Sequence, residues 1–234
     1  SWLELLAGKG LKDSEEFLAS GAKITQEIVT NFPELVTAEL LLEGQTGFLS
    51  SKNQFVLKKE LFAELDIFGT KKPLLVVKQK KIEKFSSYEL PPGPTLLLPF
   101  QDPANIGAAV RSACAFGCKN ILLSQESANP FHPKSVRASS GMILHCSFIR
   151  GGKLVDWLAQ WIDFGAPVYA LDMQGTPLPQ VSFPKSYILA AGEEGQGLPL
   201  TSGMRVISIP MAAGVESLNA ATSIGIALYE ATRE

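Results

Sequence analysis

Cysteine is scarce in this 234-residue chain, and its three cysteines, Cys114, Cys118 and Cys146, form an odd set. A low, odd count argues against a disulfide scaffold and suits a reducing cytoplasm, where we expect the protein to reside. No apolar run is long enough to span a bilayer. The opening residues, SWLELLAGKGLKDSEEF, contain no basic segment followed by an apolar core, so we expect no secretory signal.

A surplus of positive charge is also absent. The formal net charge is −2, whereas nucleic-acid-binding proteins usually carry an excess of basic residues. The charges are unevenly distributed, because residues 1–51 hold three lysines and eight acids while residues 52–84 hold nine lysines and four acids. The second segment is either a local surface that attracts phosphates or an ordinary solvated lysine face, and composition leaves both possibilities open.

Hydrophobic residues make up 46% of the chain and charged residues 19%, which is enough apolar surface for a folded core. The length suits a small domain joined to a larger one. The stretch from Tyr88 to Thr95, YELPPGPT, predicts a stiff, non-helical connector. We therefore predict a first domain over residues 1–88, a linker over 89–94 and a second domain over 95–234.

The first domain has the pattern of a small α+β unit. We predict a helix within Ser14–Val29, a short helix at Lys58–Leu65, and strands at Ala38–Leu42, Gly47–Leu49 and Leu74–Lys78.

In the second domain, short apolar strands alternate with helices. The predicted strands are Thr95–Pro99, Asn120–Leu123, Val168–Leu171, Tyr187–Ala191 and Val206–Ile209, and the helices are Ile106–Phe116, Gly152–Phe164 and Ser217–Thr232. This α/β alternation predicts a mostly parallel sheet with helices on both faces. Such sheets bind ligands in the loops at the carboxyl ends of their strands.

Three segments that follow predicted strands carry polar residues and glycines. In the first, QDPANIGAAVR at 101–111, Asp102 or Asn105 can cap a helix, and Arg111 is a long cation among small residues. An arginine that reaches solvent or pairs with a carboxylate explains Arg111 equally well.

The second segment, AGEEGQGL at 191–198, has three glycines that would let backbone approach a ligand, although an ordinary turn explains them too. It matches neither the dinucleotide fingerprint nor a phosphate loop. In the third segment, IPMAAGVESLNAA at 209–221, Ser217 or Glu216 can cap the last helix, with Asn219 in its first turn. Free backbone N–H groups at that end could serve a ligand, or the segment is simply a well-capped helix start.

Taken together, in this order and spacing, the three segments resemble the SpoU (TrmH-like) RNA ribose 2′-O-methyltransferases of the SPOUT superfamily. The resemblance covers residues 95–234 and rests on the patterns Asn-x-Gly-x-x-x-Arg, Gly-x-Glu-Gly-x-Gly and Ile-Pro-Met…Glu-Ser-Leu-Asn. Residues 1–85 more weakly resemble the family's N-terminal substrate-binding domain, a ribosomal-protein-like α/β unit. Glu193 is a departure, because the family usually has asparagine there.

The resemblance implies methyl transfer from S-adenosylmethionine to a ribose 2′-OH of ribosomal or transfer RNA, a trefoil knot in the second domain, and a homodimer. It implies a reaction centre formed by Asn105, Arg111, Glu194, Ser217 and Asn219, with Arg111 as base or phosphate clamp. It implies that the cofactor is held by Ala190, Gly192, Gly197, Ile209, Met211 and Leu218, and we expect no metal. With RNA as substrate, the candidate RNA-binding residues outside the reaction centre are Lys58, Lys59, Lys71, Lys72 and Arg137.

Two other functions compete with this one. A non-catalytic RNA- or ribosome-binding homologue would keep the same pocket, and the acidic isoelectric point favours it slightly. A nucleotide-binding oxidoreductase would need a glycine-rich strand-to-helix turn early in the sheet, which the turn at 101–107 is not. His132, in a predicted turn, and His145, in a predicted apolar strand, are weaker acid–base candidates. Cys114 with Cys118 lacks the second pair that a zinc site needs.

Overall fold

The computed structural model describes residues 1–49, 53–192, 197–215 and 217–233. These residues form two sheets with their covering helices. Within those ranges no helix is both long enough and apolar enough to cross a membrane.

The smaller sheet is built by the N-terminal part of the chain. Its four strands have the order β1-β4-β2-β3, with β4 antiparallel to both neighbours and β2 parallel to β3. The elements in chain order are α1 (Gly8–Asp13), β1 (Glu16–Ala19), α2 (Ala22–Asn31), β2 (Val36–Leu42), β3 (Gln54–Leu57), α3 (Lys59–Leu65) and β4 (Leu74–Lys78).

The larger sheet has seven strands, all parallel, and confirms the predicted α/β class. Its order is β11-β9-β10-β6-β7-β8-β5. The elements are β5 (Ile82–Lys84), β6 (Pro94–Leu98), α4 (Pro103–Ala115), β7 (Asn120–Leu123), α5 (Pro133–Ala138), β8 (Ser147–Arg150), α6 (Leu154–Asp163), β9 (Val168–Pro177), β10 (Tyr187–Ala191), β11 (Arg205–Ser208) and α7 (Ala220–Ala231).

Both faces of the larger sheet are buried, which explains why its central strands are almost wholly apolar. On one face Trp157 and Trp161 of α6 pack against side chains such as Leu97 and Ile188. On the other face α4 and α7 join a core that continues into the smaller sheet. The rings of Phe17 and Phe131, one from each unit, lie 5.2 Å apart between centroids. A hydrogen bond of 2.9 Å between Glu27 Oε1 and His145 Nε2 crosses the same junction.

The predicted helix over Ser14–Val29 is wrong in its first half. Residues Glu16–Ala19 form the strand β1, and α2 begins at Ala22 after Gly21, whose φ is +99°. Phe17, Leu18 and Ala19 are all buried. A short, continuous apolar run gives no alternation that would distinguish a strand from a buried helix.

The predicted strand Gly47–Leu49 is also wrong, and the strand β3 lies further along the chain. The reason is the fully buried carboxylate of Glu39, which accepts hydrogen bonds from the backbone N–H groups of Phe48 and Leu49. These donors are therefore unavailable to a sheet partner. A buried carboxylate requires such partners, since an unpaired one would be very costly.

Two further positions differ from expectation. β5 precedes the proline-rich connector yet pairs with β8 in the larger sheet. The exact domain limits, 1–88, 89–94 and 95–234, stay a prediction. His145 ends a short 3-10 helix, Met142–His145, rather than lying in an apolar strand.

Candidate functional site

The start of α4 is held by the capping residue that the sequence predicts. Asp102 is the N-cap, its carboxylate accepting the N–H of Ala104 at 2.9 Å, and Pro103 occupies the first turn. Asn105 therefore lies inside the helix and is half-buried. Gly107 brings α4 close to α5, because a Cβ at this position would overlap the carbonyl oxygen of Ser135.

The start of α7 differs from the prediction. Asn219 is the N-cap, and its Oδ1 accepts the N–H groups of Ala221 at 3.0 Å and Thr222 at 3.2 Å. The prediction that Ser217 or Glu216 caps this helix is wrong. Asparagine is among the best N-cap residues because its short side chain reaches the second and third N–H groups. That preference was the signal in the sequence that could have identified the cap.

Asn219 also joins the two helix starts. Its Nδ2 donates to Oδ1 of Asn105 at 3.1 Å. One amide group thus uses its oxygen on its own helix and its nitrogen on α4. Two segments that are 114 residues apart in sequence, both of which the resemblance assigns to the reaction centre, are brought together by this bond.

The third polar segment must cross the end of the sheet to make that contact. β11 is three positions from β6 in the sheet, which corresponds to about 14 Å at the usual strand spacing. The chain between Ile209 and Leu218 therefore returns past the carboxyl ends of β9 and β10 to reach α4. Because the strands are parallel, the segments that follow β6, β10 and β11 all lie on one side of the sheet, at the carboxyl ends of its strands.

Gly192 and Gly197 of the second segment, residues 191–198, permit close backbone contact. At Gly192 a Cβ would overlap the backbone of Gly197 and Leu198, so only glycine fits without a shift. Gly197 has a φ of +68°, a conformation that glycine adopts at little cost. Ala190 is fully buried in β10 just before this segment. Glu193 and Glu194 lie outside the described residues.

The returning segment presents backbone groups and apolar side chains together. Among its described residues, 209–215 and 217–218, the only backbone hydrogen bond outside the strands joins the N–H of Val215 to the carbonyl of Ala212. Ile209, Met211 and Leu218 are half-buried, and Ser217 is exposed. Unpaired backbone donors and acceptors beside apolar side chains suit a flat ligand with hydrogen-bonding edges, such as a nucleoside.

Arg111 lies on α4, six residues after Asn105, which corresponds to about 9 Å along the helix axis. Its side chain is exposed and makes no hydrogen bond or ion pair within the described parts of the chain. The explanation that pairs Arg111 with a carboxylate therefore has no partner in those parts. The cation is directed to solvent, where a charged ligand can reach it.

His132 is the titratable group beside this site. It caps α5, with Nδ1 accepting the N–H of Lys134 at 3.2 Å. Burial, followed by the charge of Lys134, lowers the pKa of His132 below its usual 6.5, while Asp102 at the start of α4 opposes this shift. A hydrogen bond of 2.7 Å from Ser135 Oγ to the carbonyl of Pro103 fixes the two helix starts against each other.

The remaining predicted residues lie elsewhere. Lys58, Lys59, Lys71 and Lys72 are exposed on the smaller unit, and the guanidinium of Arg137 lies 4.6 Å from the centre of the Phe68 ring. Within the described residues, no hydrogen bond or ion pair links any of these five to Asn105 or Arg111.

The cysteines do not form a metal site with one another. Cys114 Sγ lies 3.4 Å from Cys146 Sγ, and the thiol of Cys118 is directed to the carbonyl of Pro94. In the described ranges, no group of three or more His, Cys, Asp or Glu residues could hold a metal ion.

Comparison with known proteins identifies the family. The model of the SpoU rRNA Methylase family matches residues 95–229, more than half of the chain. The chain belongs to the SpoU rRNA Methylase family, as the three segments predict. The match contains all the elements of the larger sheet except β5, together with the Asn105–Asn219 contact.

Individual relatives extend the similarity to the whole chain. The chain is 38% identical over 238 residues to ribosomal RNA small subunit methyltransferase G 2 of Syntrophobacter fumaroxidans, which covers 98% of the chain. The SpoU methyltransferase AviRb of Streptomyces viridochromogenes, crystallised with AdoMet, matches with a TM-score of 0.77 at 25% identity over 99% of this chain and 95% of that one. A putative TrmH-family RNA methyltransferase of Porphyromonas gingivalis matches with a TM-score of 0.76 at 27% identity over 98% and 95%.

The curated relatives are longer than this chain. The chain spans less than half the length of the curated relatives it matches, 46% for the Syntrophobacter protein. That protein's name does not say which part of it carries the named activity. The AviRb structure, by contrast, is matched along nearly its full length.

Proposed function

We propose that this chain transfers a methyl group from S-adenosylmethionine to a ribose 2′-OH in ribosomal or transfer RNA. The observation that carries the proposal is the Asn219–Asn105 hydrogen bond, which brings the first and third family patterns together at the carboxyl ends of the strands. The similar AviRb structure is a SpoU methyltransferase in complex with AdoMet, and the Syntrophobacter relative is named for ribosomal RNA.

The residues present fit the cofactor. Apart from the Val215–Ala212 hydrogen bond, the described residues 209–215, 217 and 218 have backbone groups that would bind the edges of the nucleoside, with Met211 and Leu218 against its faces. The close backbone contact at Gly192 would form the opposite wall. When bound, the cofactor supplies an activated methyl group on a sulfonium, so the protein's task is to place and orient the acceptor.

Arg111 would orient the phosphate next to the target ribose. A guanidinium stays protonated in proteins, so it acts as a fixed cation and a paired donor rather than as a base. The proton of the 2′-OH would then pass to a phosphate oxygen or to water. Asn105 and Asn219 fix the helix starts against each other and thereby position this centre, and we assign Ser217 and Glu194 to contacts with the ribose.

The test is single-turnover transfer from tritiated S-adenosylmethionine to total RNA, with alkali-resistant dinucleotides as the signature of a 2′-O-methyl group. We expect Arg111→Ala and Arg111→Lys to lower the rate about 100-fold or more, because loss of one preorganised electrostatic contact has effects of this size. Calorimetric affinity for the cofactor should stay at the wild-type value. Wild-type rates in both variants would contradict the role of Arg111.

The same assay separates the catalytic function from its alternative. A non-catalytic RNA- or ribosome-binding homologue would bind the cofactor and RNA but transfer no label from the wild-type protein. Label in RNA without alkali-resistant dinucleotides would place the methyl group on a base and refute the ribose assignment.

We further propose that the protein is a homodimer, that its second domain is knotted, and that it acts in the cytoplasm. The exposed apolar pair Ile226 and Tyr229 on α7, three residues apart on one helix face, supports self-association. The return of the chain across the ends of β9 and β10 is compatible with the knot. Sedimentation equilibrium tests the dimer, which should have twice the 25.2 kDa mass of the chain.

A further inference from the structure

A cleft with mainly basic walls lies where the smaller unit meets β5, an edge strand of the larger sheet. It has a volume of about 1030 Å³. Its walls come from the end of α1, the chain from β4 through β5, and the residues after β7 and β8. The charged side chains in the walls are six cations and one acid, namely Lys12, Lys78, Lys80, Lys81, Lys84, Arg150 and Glu15. We call this the basic cleft.

Not all six cations are available to a ligand. Arg150 donates to the carbonyl oxygens of Ser124 and Ser127 at 2.9 Å each and to that of Ala128 at 3.2 Å, so it secures the loop after β7. Lys81 pairs with Glu83 at 2.8 Å.

Lys80 has its amine 4.8 Å from the centre of the Phe32 ring. Lys12, Lys78 and Lys84 are exposed and have no ion pair or side-chain hydrogen bond within the described residues. Three cations from three different elements, α1, β4 and β5, thus face one cleft unpaired.

Protection of a sheet edge explains only part of this arrangement. β5 is an edge strand of the larger sheet, and lysines on edge strands discourage pairing with other chains. That accounts for Lys84, which lies in β5. It does not account for Lys12 or Lys78, because these residues belong to the smaller unit and only the packing of the two units brings them to the cleft.

One end of the basic cleft lies at the carboxyl ends of the parallel strands, as the methyl-transfer site does, and its other end lies beside Lys80 and Lys81 at the amino end of β5. Its floor includes Gln125 and Asn129 after β7 and Gly151 after β8, all at carboxyl ends of parallel strands. β8 is two positions from β6, or about 10 Å at the usual strand spacing. A polyanion in the basic cleft would therefore lie only a few nucleotides from Asn105. The exposed amide of Gln125 offers both a donor and an acceptor to bases or 2′-hydroxyls.

We propose that the basic cleft binds the phosphodiester backbone of single-stranded RNA beside the methylated nucleotide. The proposal rests on the proposed function for the identity of the polyanion. It also explains how a chain with a net charge of −2 binds RNA, since phosphate contacts require only a local basic surface.

The test compares two triple variants that remove equal charge. The first is Lys12→Gln, Lys78→Gln and Lys84→Gln in the basic cleft. The matched control is Lys23→Gln, Lys119→Gln and Lys185→Gln, and all three residues are exposed. Lys119 and Lys185 precede β7 and β10 and therefore lie at the amino ends of the strands. Fluorescence anisotropy with a labelled single-stranded RNA of about a dozen nucleotides, over a range of salt concentrations, gives affinity and salt dependence.

We expect the cleft variant to bind RNA about 10- to 100-fold more weakly, with the slope of log K against log salt reduced by about 2, the value for three lost phosphate contacts. The control variant should keep the wild-type values. Equal losses in the two variants, or none in the cleft variant, would overturn the proposal. Binding of a polyglutamate peptide as tight as RNA, and equally dependent on the three cleft lysines, would overturn it in favour of an acidic protein partner.

Measurement of cofactor affinity distinguishes a failure of the cleft proposal from a failure of the proposed function. Calorimetry with S-adenosylmethionine should give the same affinity in the wild type and in both variants. Wild-type protein that binds no cofactor and transfers no methyl group would refute the proposed function, whereas RNA affinity that depends on the cleft lysines would still support the cleft.

Discussion

The bond between Asn219 and Asn105 makes a prediction whose size follows from the structure. Asn219→Ala removes the acceptor for two N–H groups at the start of α7, which costs about 1 kcal/mol for a typical N-cap. It also removes the donor to Asn105, a hydrogen bond that contributes about 1 kcal/mol. The free energy of unfolding should therefore fall by about 2 kcal/mol.

Two further variants separate these contributions. Asn219→Ser keeps a good N-cap but is too short to reach α4, so loss of the bond to Asn105 should cost about 1 kcal/mol. Asn105→Ala keeps the cap of α7 and should lose the same amount. The double variant with Asn105→Ala and Asn219→Ser should be no less stable than either single one, because both changes remove one interaction.

The assay is equilibrium urea unfolding followed by circular dichroism, with thermal unfolding in parallel. For a chain of this size, about 2 kcal/mol corresponds to a melting temperature lower by about 4 to 8 °C. Equal stability of the Asn219→Ser and Asn219→Ala variants would show that the cap contributes nothing. Additive losses in the double variant would show that the two asparagines do not interact, and would remove the observation on which the proposed function rests.

Three other predictions follow from packing and ionisation. Gly107→Ala should destabilise by about 1 to 3 kcal/mol because its Cβ overlaps the backbone of α5. Gly225→Ala in α7, whose Cβ would meet the side chain of Ser112 with Oγ at 3.1 Å, should be nearly neutral in the same urea assay. Because the pKa of His132 is lowered in the folded state, the free energy of unfolding should decrease as pH falls through 6.5, and His132→Asn, which keeps a capping oxygen, should reduce that decrease. The hydrogen bond between Cys114 and Cys146, with the charge of Lys119, lowers the pKa of the Cys114 thiol, while the same hydrogen bond and burial raise the pKa of Cys146. Iodoacetamide should therefore modify Cys114 first, as mass spectrometry of digested protein would show, and labelling of Cys146 first would contradict the assignment.

Sequence reasoning works well for five of the seven strands of the larger sheet, because each of these five is a short apolar run followed by a recognisable turn or helix signal. The helix α4, for example, ends at Ala115, two residues before Gly117, whose φ of +75° is typical of the glycine that follows a helix. Five of the seven parallel strands, namely β6, β7, β9, β10 and β11, follow from this alternation, whereas the short, mixed sequences of β5 and β8 give no strand signal. Strand order does not follow from it, since nothing in the local sequence says that β9 lies between β10 and β11.

The smaller unit shows where local signals fail. Glu39 determines the path of residues 47–49 by accepting their N–H groups, although it is distant from them in sequence. β1 is a strand because β4 pairs with it, and its own apolar run is compatible with either a helix or a strand. The basic cleft likewise exists only because the two units pack together, so no single segment of sequence reveals it.

The first family pattern, Asn-x-Gly-x-x-x-Arg, divides into residues with structural partners and one without. Asn105 is bonded to the cap of α7, and Gly107 allows α4 to contact the backbone of α5. Both are therefore explained by the fold alone. Arg111 has no hydrogen bond or ion pair in the described residues and is exposed. Its replacement should change the free energy of unfolding by no more than about 0.5 kcal/mol, the usual range at such positions. A large loss of methyl transfer without a loss of stability would then assign Arg111 to the substrate rather than to the fold.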